Sequence, residues 1–255
     1  MQRLAGKLAL ITGGSSGIGL ATAKAFVAEG ARVAITGRDA KSLQAAQREI
    51  GNDGLALQSD AGDLKAIDTL FEAIKEKFGA LDILFANAGI GSGGPVESVT
   101  EEDFDRIFAV NVKGVFFTVQ KALPLLRKGA SIVLNSSIAQ HTGRPGLSLY
   151  AASKAAVRTL ARNLSAELAS RGIRVNVVSP GPIDTPIWER ARDPEIASAL
   201  KKRVEAGIPV GRMGTAEEVA SAVVFLASDD SSFMLGSEIT VDGGVIEVPG
   251  ALGPR

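Results

Sequence analysis

The sequence predicts an α/β fold: a three-layer, doubly wound parallel β-sheet of about seven strands in a single domain. Short β-type runs alternate with long helical patterns, glycines mark the junctions, and small or polar residues follow the strands. The runs are Leu8–Thr12, Arg32–Thr36, Leu55–Leu57, Leu81–Ala86, Ser131–Asn135, Ile173–Val178 and Ile239–Val241. Between them, Leu64, Ile67, Leu70, Phe71, Ile74 and Phe78 share one helical face, as do Val157, Leu160, Leu164 and Leu168. Gly30, Gly51, Gly79, Gly129 and Gly172 each follow a helical run, where a left-handed residue without a Cβ ends a helix. Mostly apolar strands with short connections are those of a parallel sheet covered on both faces.

Composition removes much of the functional map. The 255 residues hold 28 basic and 28 acidic side chains, no cysteine, and a single His141, Trp188 and Tyr150. That excludes disulfides, thiolate nucleophiles and Cys-ligated metals, and one histidine excludes His₂ or His₃ sites within the chain, so no metal is expected. Balanced charge argues against a nucleic-acid partner. Arg3 and Lys7 precede only the short apolar stretch Leu8–Ile11, too short for a signal peptide or a membrane span. A soluble cytoplasmic protein without a membrane partner is the expectation.

In open parallel sheets, ligands bind beyond the carboxyl ends of the strands. Gly13-Gly14-Ser15-Ser16-Gly17-Ile18-Gly19 follows the first run, and a helix begins near Ile18. Its glycines permit a tight turn, and the helix start offers free N–H groups to a pyrophosphate. The alternatives are a turn without ligand, or a G-x-S-x-G nucleophile elbow with Ser15 paired to His141. Gly37-Arg38 ends the second run; Arg38 offers a planar fork suited to a 2′-phosphate or is simply exposed, while Asp39 reads as a helix cap. Asp60, Asn87-Ala88-Gly89, Ser136-Ser137 and Pro180-Gly181-Pro182 follow the later runs.

Tyr150 and Lys154 lie four apart at the start of a helical run and so share a face. A phenol is a poor acid–base group at neutral pH unless a nearby cation favours its phenolate. So tuned, it donates a proton to a carbonyl oxygen or takes one from an alcohol. Such a pair is otherwise an ordinary helix surface. Ser137, 13 residues before Tyr150, is placed to steady a substrate oxygen, with Ser136 as its competitor.

Taken together, Thr12–Gly19, Asn87-Ala88-Gly89, Asn111, Ser137, Tyr150-x-x-x-Lys154 and Pro180-Gly181 resemble the short-chain dehydrogenase/reductases, in order and spacing, from residue 6 to about residue 246. The resemblance implies a Rossmann sheet, a nicotinamide cofactor and an Asn–Ser–Tyr–Lys tetrad. On that pattern Tyr150 is the proton donor and acceptor, Lys154 lowers its pKa and binds the nicotinamide ribose, Ser137 orients the carbonyl, and Asn111 holds a relay water. Gly13, Ser15, Ser16, Gly17, Ile18 and Gly19 resemble the phosphate and ribose contacts. Asp60 and Ala61 resemble the adenine contacts, and Asn87, with Ala88 and Gly89, the cofactor-ribose contact. Pro180, Gly181, Ile183 and Thr185 resemble the segment that fixes the carboxamide.

Two departures matter. Ala86 stands where many members carry asparagine, and Gly37 with Arg38 replaces the acid of NAD-preferring members. The second resembles the pattern preferring NADPH/NADP, with NAD the lesser choice, although no basic residue interrupts Gly13–Gly19. The expected partner is a small-molecule carbonyl or alcohol, under a substrate-binding lid around residues 183–212, with Trp188 and His141 as candidate contacts. A 3-oxoacyl carrier-protein reductase is the alternative, with Arg127, Lys128, Arg171 and Arg174 near helix ends as candidate carrier contacts or plain dipole partners. A cofactor-binding sensor without turnover is the alternative of another class. The resemblance further implies a homotetramer or homodimer.

Overall fold

Alternation along each strand divides the apolar side chains into two sets, each buried against its own layer of helices. The computed structural model describes residues 2–91, 93–186 and 194–249. Its strands are β1 (Leu8–Ile11), β2 (Arg32–Gly37), β3 (Leu55–Gln58), β4 (Leu81–Ala86), β5 (Leu126–Asn135), β6 (Arg174–Pro180) and β7 (Glu238–Val241). They form one seven-stranded sheet in the order β3-β2-β1-β4-β5-β6-β7, with every neighbouring pair parallel. The order reverses beside β1, between β2 and β4, and opens a crevice at the strand ends.

The helices are α1 (Gly17–Ala28), α2 (Ala40–Ile50), α3 (Leu64–Lys77), α4 (Glu101–Phe108), α5 (Val115–Ala122), α6 (Ser148–Leu168), α7 (Pro194–Glu205) and α8 (Ala216–Ala227). Leu10, Leu84, Leu134 and Val177 pack with Ile74, Val119 and Val157 of α3, α5 and α6. Ile11, Ile35, Phe85 and Val178 pack with Phe26, Leu43 and Val223 of α1, α2 and α8. Phe26 is fully buried, a burial that contributes about 1.5–3 kcal/mol.

Local signals set the helix starts. The Asp39 carboxylate accepts the N–H of Ser42 at 2.7 Å and caps α2, as its position predicts. Thr215 and Glu218 form a capping box on α8. Between α4 and α5 the chain widens into a π turn, Ala109–Gly114, and Gly114 makes this possible. A Cβ there would lie 2.1 Å from the carbonyl oxygen of Ala61.

The sequence-based bounds need two corrections. β5 begins at Leu126 rather than Ser131 because Leu126 pairs with Leu81, so Gly129 lies inside a strand and not after a helix. The register shifts between the Leu81 and Ile83 pairs, and Gly129, with φ 88°, falls in that irregular stretch. The mixed helix expected from Glu189 to Ala206 is described as α7 from Pro194; residues 187–193, Trp188 included, lie outside the described residues.

Candidate active site

The ends of β1, β2, β4, β5 and β6 border a cleft of about 390 Å³. Its walls include Gly13, Ser15, Ser16, Gly17, Ile18 and Gly19 from the first turn, and Arg38, Asp60 and Ala61 from the next two. Asn87, Ala88, Gly89, Ser137, Tyr150, Lys154, Pro180, Gly181, Ile183 and Thr185 also line it.

The first turn is shaped by its glycines. Gly13 and Gly17 hold φ of 65° and 52°, and a Cβ on Gly19 would lie 2.2 Å from the Gly13 carbonyl oxygen. The first main-chain bond of α1 runs from Leu20 N to Ser16 O, so the N–H groups of Gly17, Ile18 and Gly19 precede it. Ser16 makes no side-chain cap and the first turn carries no acid. This open, electropositive helix end suits a phosphate.

At the end of β2, Arg38 is exposed, and its guanidinium forms no hydrogen bond or ion pair among the described residues. The neighbouring acid is occupied as the α2 cap. A Cβ on Gly37 would lie 2.7 Å from Ser15 Oγ, so the serine occupies space that a side chain at 37 would need. The cradle therefore fits a dinucleotide, with a free cation at its adenosine end.

Asn87, which the family pattern gives as a cofactor-ribose contact, lines the cleft, and its side chain also braces the strand ends. Its Nδ2 donates to the carbonyl oxygens of Thr12 and Gly13 at 3.0 and 3.1 Å, and its Oδ1 accepts from Asn135 at 2.8 Å. Thr12 Oγ1 in turn accepts the N–H groups of Asn87 and Ala88. The amide thus ties the ends of β1, β4 and β5 together. Sequence reasoning gave no role to Asn135 or to buried Thr12; the signals are that both are polar residues closing apolar strands and that Thr12 opens the Thr12–Gly19 segment.

At the other end of the cleft, Tyr150 and Lys154 project from the first turns of α6. The Tyr150 phenol lies within reach of Ser137, which acts to lower its pKa, and Ser137 Oγ accepts the N–H of Ala139 at 3.2 Å. Ser136 is buried and donates to the Lys154 carbonyl oxygen at 2.8 Å, which separates the two serines left open by the sequence. Lys154 Nζ donates to the carbonyl oxygen of Asn135 at 2.8 Å and lies 5.7 Å from the centre of the Tyr150 ring.

Burial pushes the Tyr150 phenol above its usual range, opposed by Ser137. Burial also lowers Lys154 to about 8. The expected depression of the phenol by a neighbouring ammonium is therefore outweighed in the protein alone, because the same enclosure disfavours both charges.

Asn111 sits in the π turn, fully buried, and does not line the cleft. Its Oδ1 accepts Ile90 N at 2.8 Å, and its Nδ2 donates to Ile90 O and to Ser153 Oγ. Ser153 Oγ bonds back to the Tyr150 carbonyl oxygen. The amide clamps the segment after β4 onto α6 and leaves little capacity to hold a water through the side chain.

His141 is not brought to the cleft either. Its Nε2 lies 3.0 Å from Glu238 Oε1, so the Ser15–His141 pair of the elbow reading does not form. Of the four cations considered for a carrier protein, three have partners within the chain, while Lys128 is exposed and makes no hydrogen bond or ion pair among the described residues. Arg174 is buried against the carbonyl oxygens of Leu226, Ser228 and Ser231, Arg127 faces Asp82, and Arg171 donates to Leu123 O.

A doubly wound sheet with an open glycine turn at one end of its cleft, and an enclosed tyrosine–lysine pair at the other, defines a nucleotide-dependent oxidoreductase. Comparison with known proteins agrees. The family model described as "Enoyl-(Acyl carrier protein) reductase" matches residues 13–246. The oxidoreductase asL5 of Sarocladium schorii is 46% identical over 97% of this chain and 99% of its own. The 3-oxoacyl-acyl-carrier-protein reductase FabG of Thermotoga maritima is 40% identical over 96% of this chain and 100% of its own. Among solved structures, levodione reductase superposes with a TM-score of 0.90 at 34% identity, covering 95% of this chain and 98% of that one. The chain belongs to the short-chain dehydrogenase/reductase family. It is an oxidoreductase of the CH–OH/C=O type, in a family that binds a nicotinamide cofactor.

Proposed function

We propose that the protein is an NADPH-dependent reductase of a small ketone or aldehyde, running in reverse as an alcohol dehydrogenase. The observation that carries this reading is that Ser137, Tyr150 and Lys154 line one end of the same cleft, with buried Lys154 Nζ 5.7 Å from the centre of the Tyr150 ring. When bound, the nicotinamide supplies the hydride. Tyr150 Oη gives its proton to the carbonyl oxygen, and Ser137 Oγ steadies the charge that develops there. Lys154 stabilises the phenolate left behind, and Asn111 positions α6 through Ser153 rather than touching the reactants.

The N–H groups at the start of α1, with Gly13, Ser15 and Ser16, hold the pyrophosphate, and Arg38 takes the 2′-phosphate. Asp60 and Ala61 flank the adenine, the main chain of Asn87, Ala88 and Gly89 flanks a ribose, and Pro180, Gly181, Ile183 and Thr185 face the carboxamide. The lid comprises the region from Ile183 to Arg212, and the Lys201–Asp184 ion pair at 2.7 Å latches α7 to the end of the cleft. No helix among the described residues is long and apolar enough to cross a membrane, which supports a cytoplasmic enzyme; we take it to be a homotetramer or homodimer, as the family pattern implies.

The test is an NADPH-oxidation screen over ketones, sugars, steroids and β-ketoacyl thioesters. Turnover of at least one class, absent in Tyr150→Phe, is expected. NADPH binding without turnover of any class favours the sensor, and a response confined to carrier-linked thioesters favours the carrier-protein reductase.

A further inference from the structure

Outside the cleft, the described residues hold one dense knot of charged and polar side chains, centred on Glu238 at the start of β7. Its Oε1 accepts from Gln140 Nε2 at 2.7 Å, from His141 Nε2 at 3.0 Å and from Ser179 Oγ. Its Oε2 accepts from Arg158 Nε at 2.9 Å. The Glu238 and Arg158 side chains are 13% and 12% exposed. Burial works to raise the Glu238 carboxyl, but the bonds from Ser179, His141 and Arg158 outweigh it and hold the group below its usual range.

The partners come from three elements that meet at the reacting end of the cleft. Gln140 and His141 belong to the short turn Ile138–His141, which Ser137 caps. Arg158 lies one α-helical repeat beyond Lys154 and two beyond Tyr150, on the same stripe of α6. Ser179 precedes the Pro180-Gly181 lining of the cleft. A single carboxylate therefore links the element carrying Ser137 to the element carrying Tyr150.

We propose that Glu238 is a positioning residue that holds the Ser137 turn against α6, so that the Ser137 hydroxyl meets the Tyr150 phenol. This rests on the roles given above to Ser137 and Tyr150. Without the carboxylate, the 138–141 turn keeps its local bonds and the Gln140–Ser179 contact at 3.2 Å but loses its link to Arg158, so Ser137 is tied to α6 only through the neighbouring Ser136–Lys154 bond. Arg158 Nη1 is buried without a partner, so an alanine at 238 would strand a cation. Glu238→Gln keeps the shape and removes the charge.

Because Tyr150 is the only tyrosine, tyrosinate absorbance of the full-length protein titrates this one phenol and needs neither substrate nor turnover. Circular dichroism at each pH reports whether the fold persists. Ser137→Ala is expected to raise the phenol's apparent pKa by removing the hydroxyl that lowers it, and Glu238→Gln to raise it in the same direction. In the double variant, Glu238→Gln adds nothing further. A shift with Ser137→Ala but none with Glu238→Gln overturns the proposal alone. No shift with either overturns the Ser137–Tyr150 reading and the proposal with it. Additive shifts also overturn it, since they make Glu238 act independently of Ser137.

Where alkaline unfolding precedes titration, the same cycle is read in kcat at neutral pH with a substrate from the screen. About a tenfold loss from Glu238→Gln in the wild-type background, less than twofold in Ser137→Ala, and an unchanged Kd for NADPH are expected. Equal losses in both backgrounds refute it. Should Glu238→Gln fail to fold, His141→Ala, at an exposed position, removes one anchor of the turn and is read in the same cycle.

Discussion

The ammonium of Lys154 is bonded to the carbonyl oxygen of Asn135 at 2.8 Å, inside an enclosure that lowers its pKa to about 8. In the unfolded chain the group returns to its ordinary value near 10.5. Between these values the unfolded state holds a proton that the folded state lacks, so this group makes stability rise with pH from about 8 to 10.5. Below that window it costs about 3 kcal/mol. Lys154→Met also leaves the Asn135 carbonyl unpaired, at a cost independent of pH. Urea unfolding at pH 7, 8.5 and 10 should show wild type gaining on Lys154→Met as pH rises. Parallel curves would refute the assignment.

Tyr150→Phe removes the phenolic oxygen while keeping the ring that fills the site. Carbonyl reduction is expected to fall by about 10²–10⁴-fold, the usual contribution of a positioned general acid. NADPH binding, followed by quenching of Trp188 fluorescence or by calorimetry, should change less than twofold. Appreciable turnover in this variant sinks the role given to Tyr150.

Arg38→Ala tests the cofactor preference. Wild type should use NADPH with higher kcat/KM than NADH, and the variant should lose about 10–100-fold of that ratio, the worth of a charge-assisted bond to phosphate. The efficiency with NADH should stay near its starting value. Equal efficiencies in the wild-type protein contradict the preference outright.

Asn111→Ala leaves the main-chain N–H and C=O of Ile90 without their partner and should cost about 1–3 kcal/mol. Hydrogen exchange supplies the specific readout. The Ile90 amide, now bonded to Asn111 Oδ1, should exchange faster in the variant, while amides of β1 and β6 keep their protection. Unchanged exchange at Ile90 would show that the clamp is not formed in solution.

The fold was legible because its signals are local. Period-two and period-3.6 patterns and glycines between them placed all seven strands, with the largest error at β5, whose first residues Leu126 to Ala130 pair through an irregular register that no periodicity marks. That the residues after the strands line one cleft was legible for a related reason: they follow strands directly, and the topology gathers strand ends. What escaped were orientations decided by distant partners. His141 was a candidate contact until Glu238, 97 residues away, drew it aside. The side-chain bonds of Asn87 and Asn111 to Thr12, Asn135, Ile90 and Ser153, which make their amides braces as well, are likewise set by partners distant in sequence. Glu238 itself had a faint signal, a lone acid in an otherwise apolar and hydroxylic strand of a parallel sheet.

The packing of Ser15 against Gly37 bears on how cofactor choice can evolve. A side chain at 37 would place its Cβ 2.7 Å from Ser15 Oγ and 3.0 Å from Ser15 Cβ. An acid introduced there to suit NAD therefore requires Ser15 to turn its hydroxyl aside or to be replaced. The two positions are therefore coupled, and Gly37→Asp is expected to be better tolerated with glycine or alanine at position 15 than with serine. A change of cofactor preference at the tip of β2 is thus eased by a smaller residue in the loop after β1.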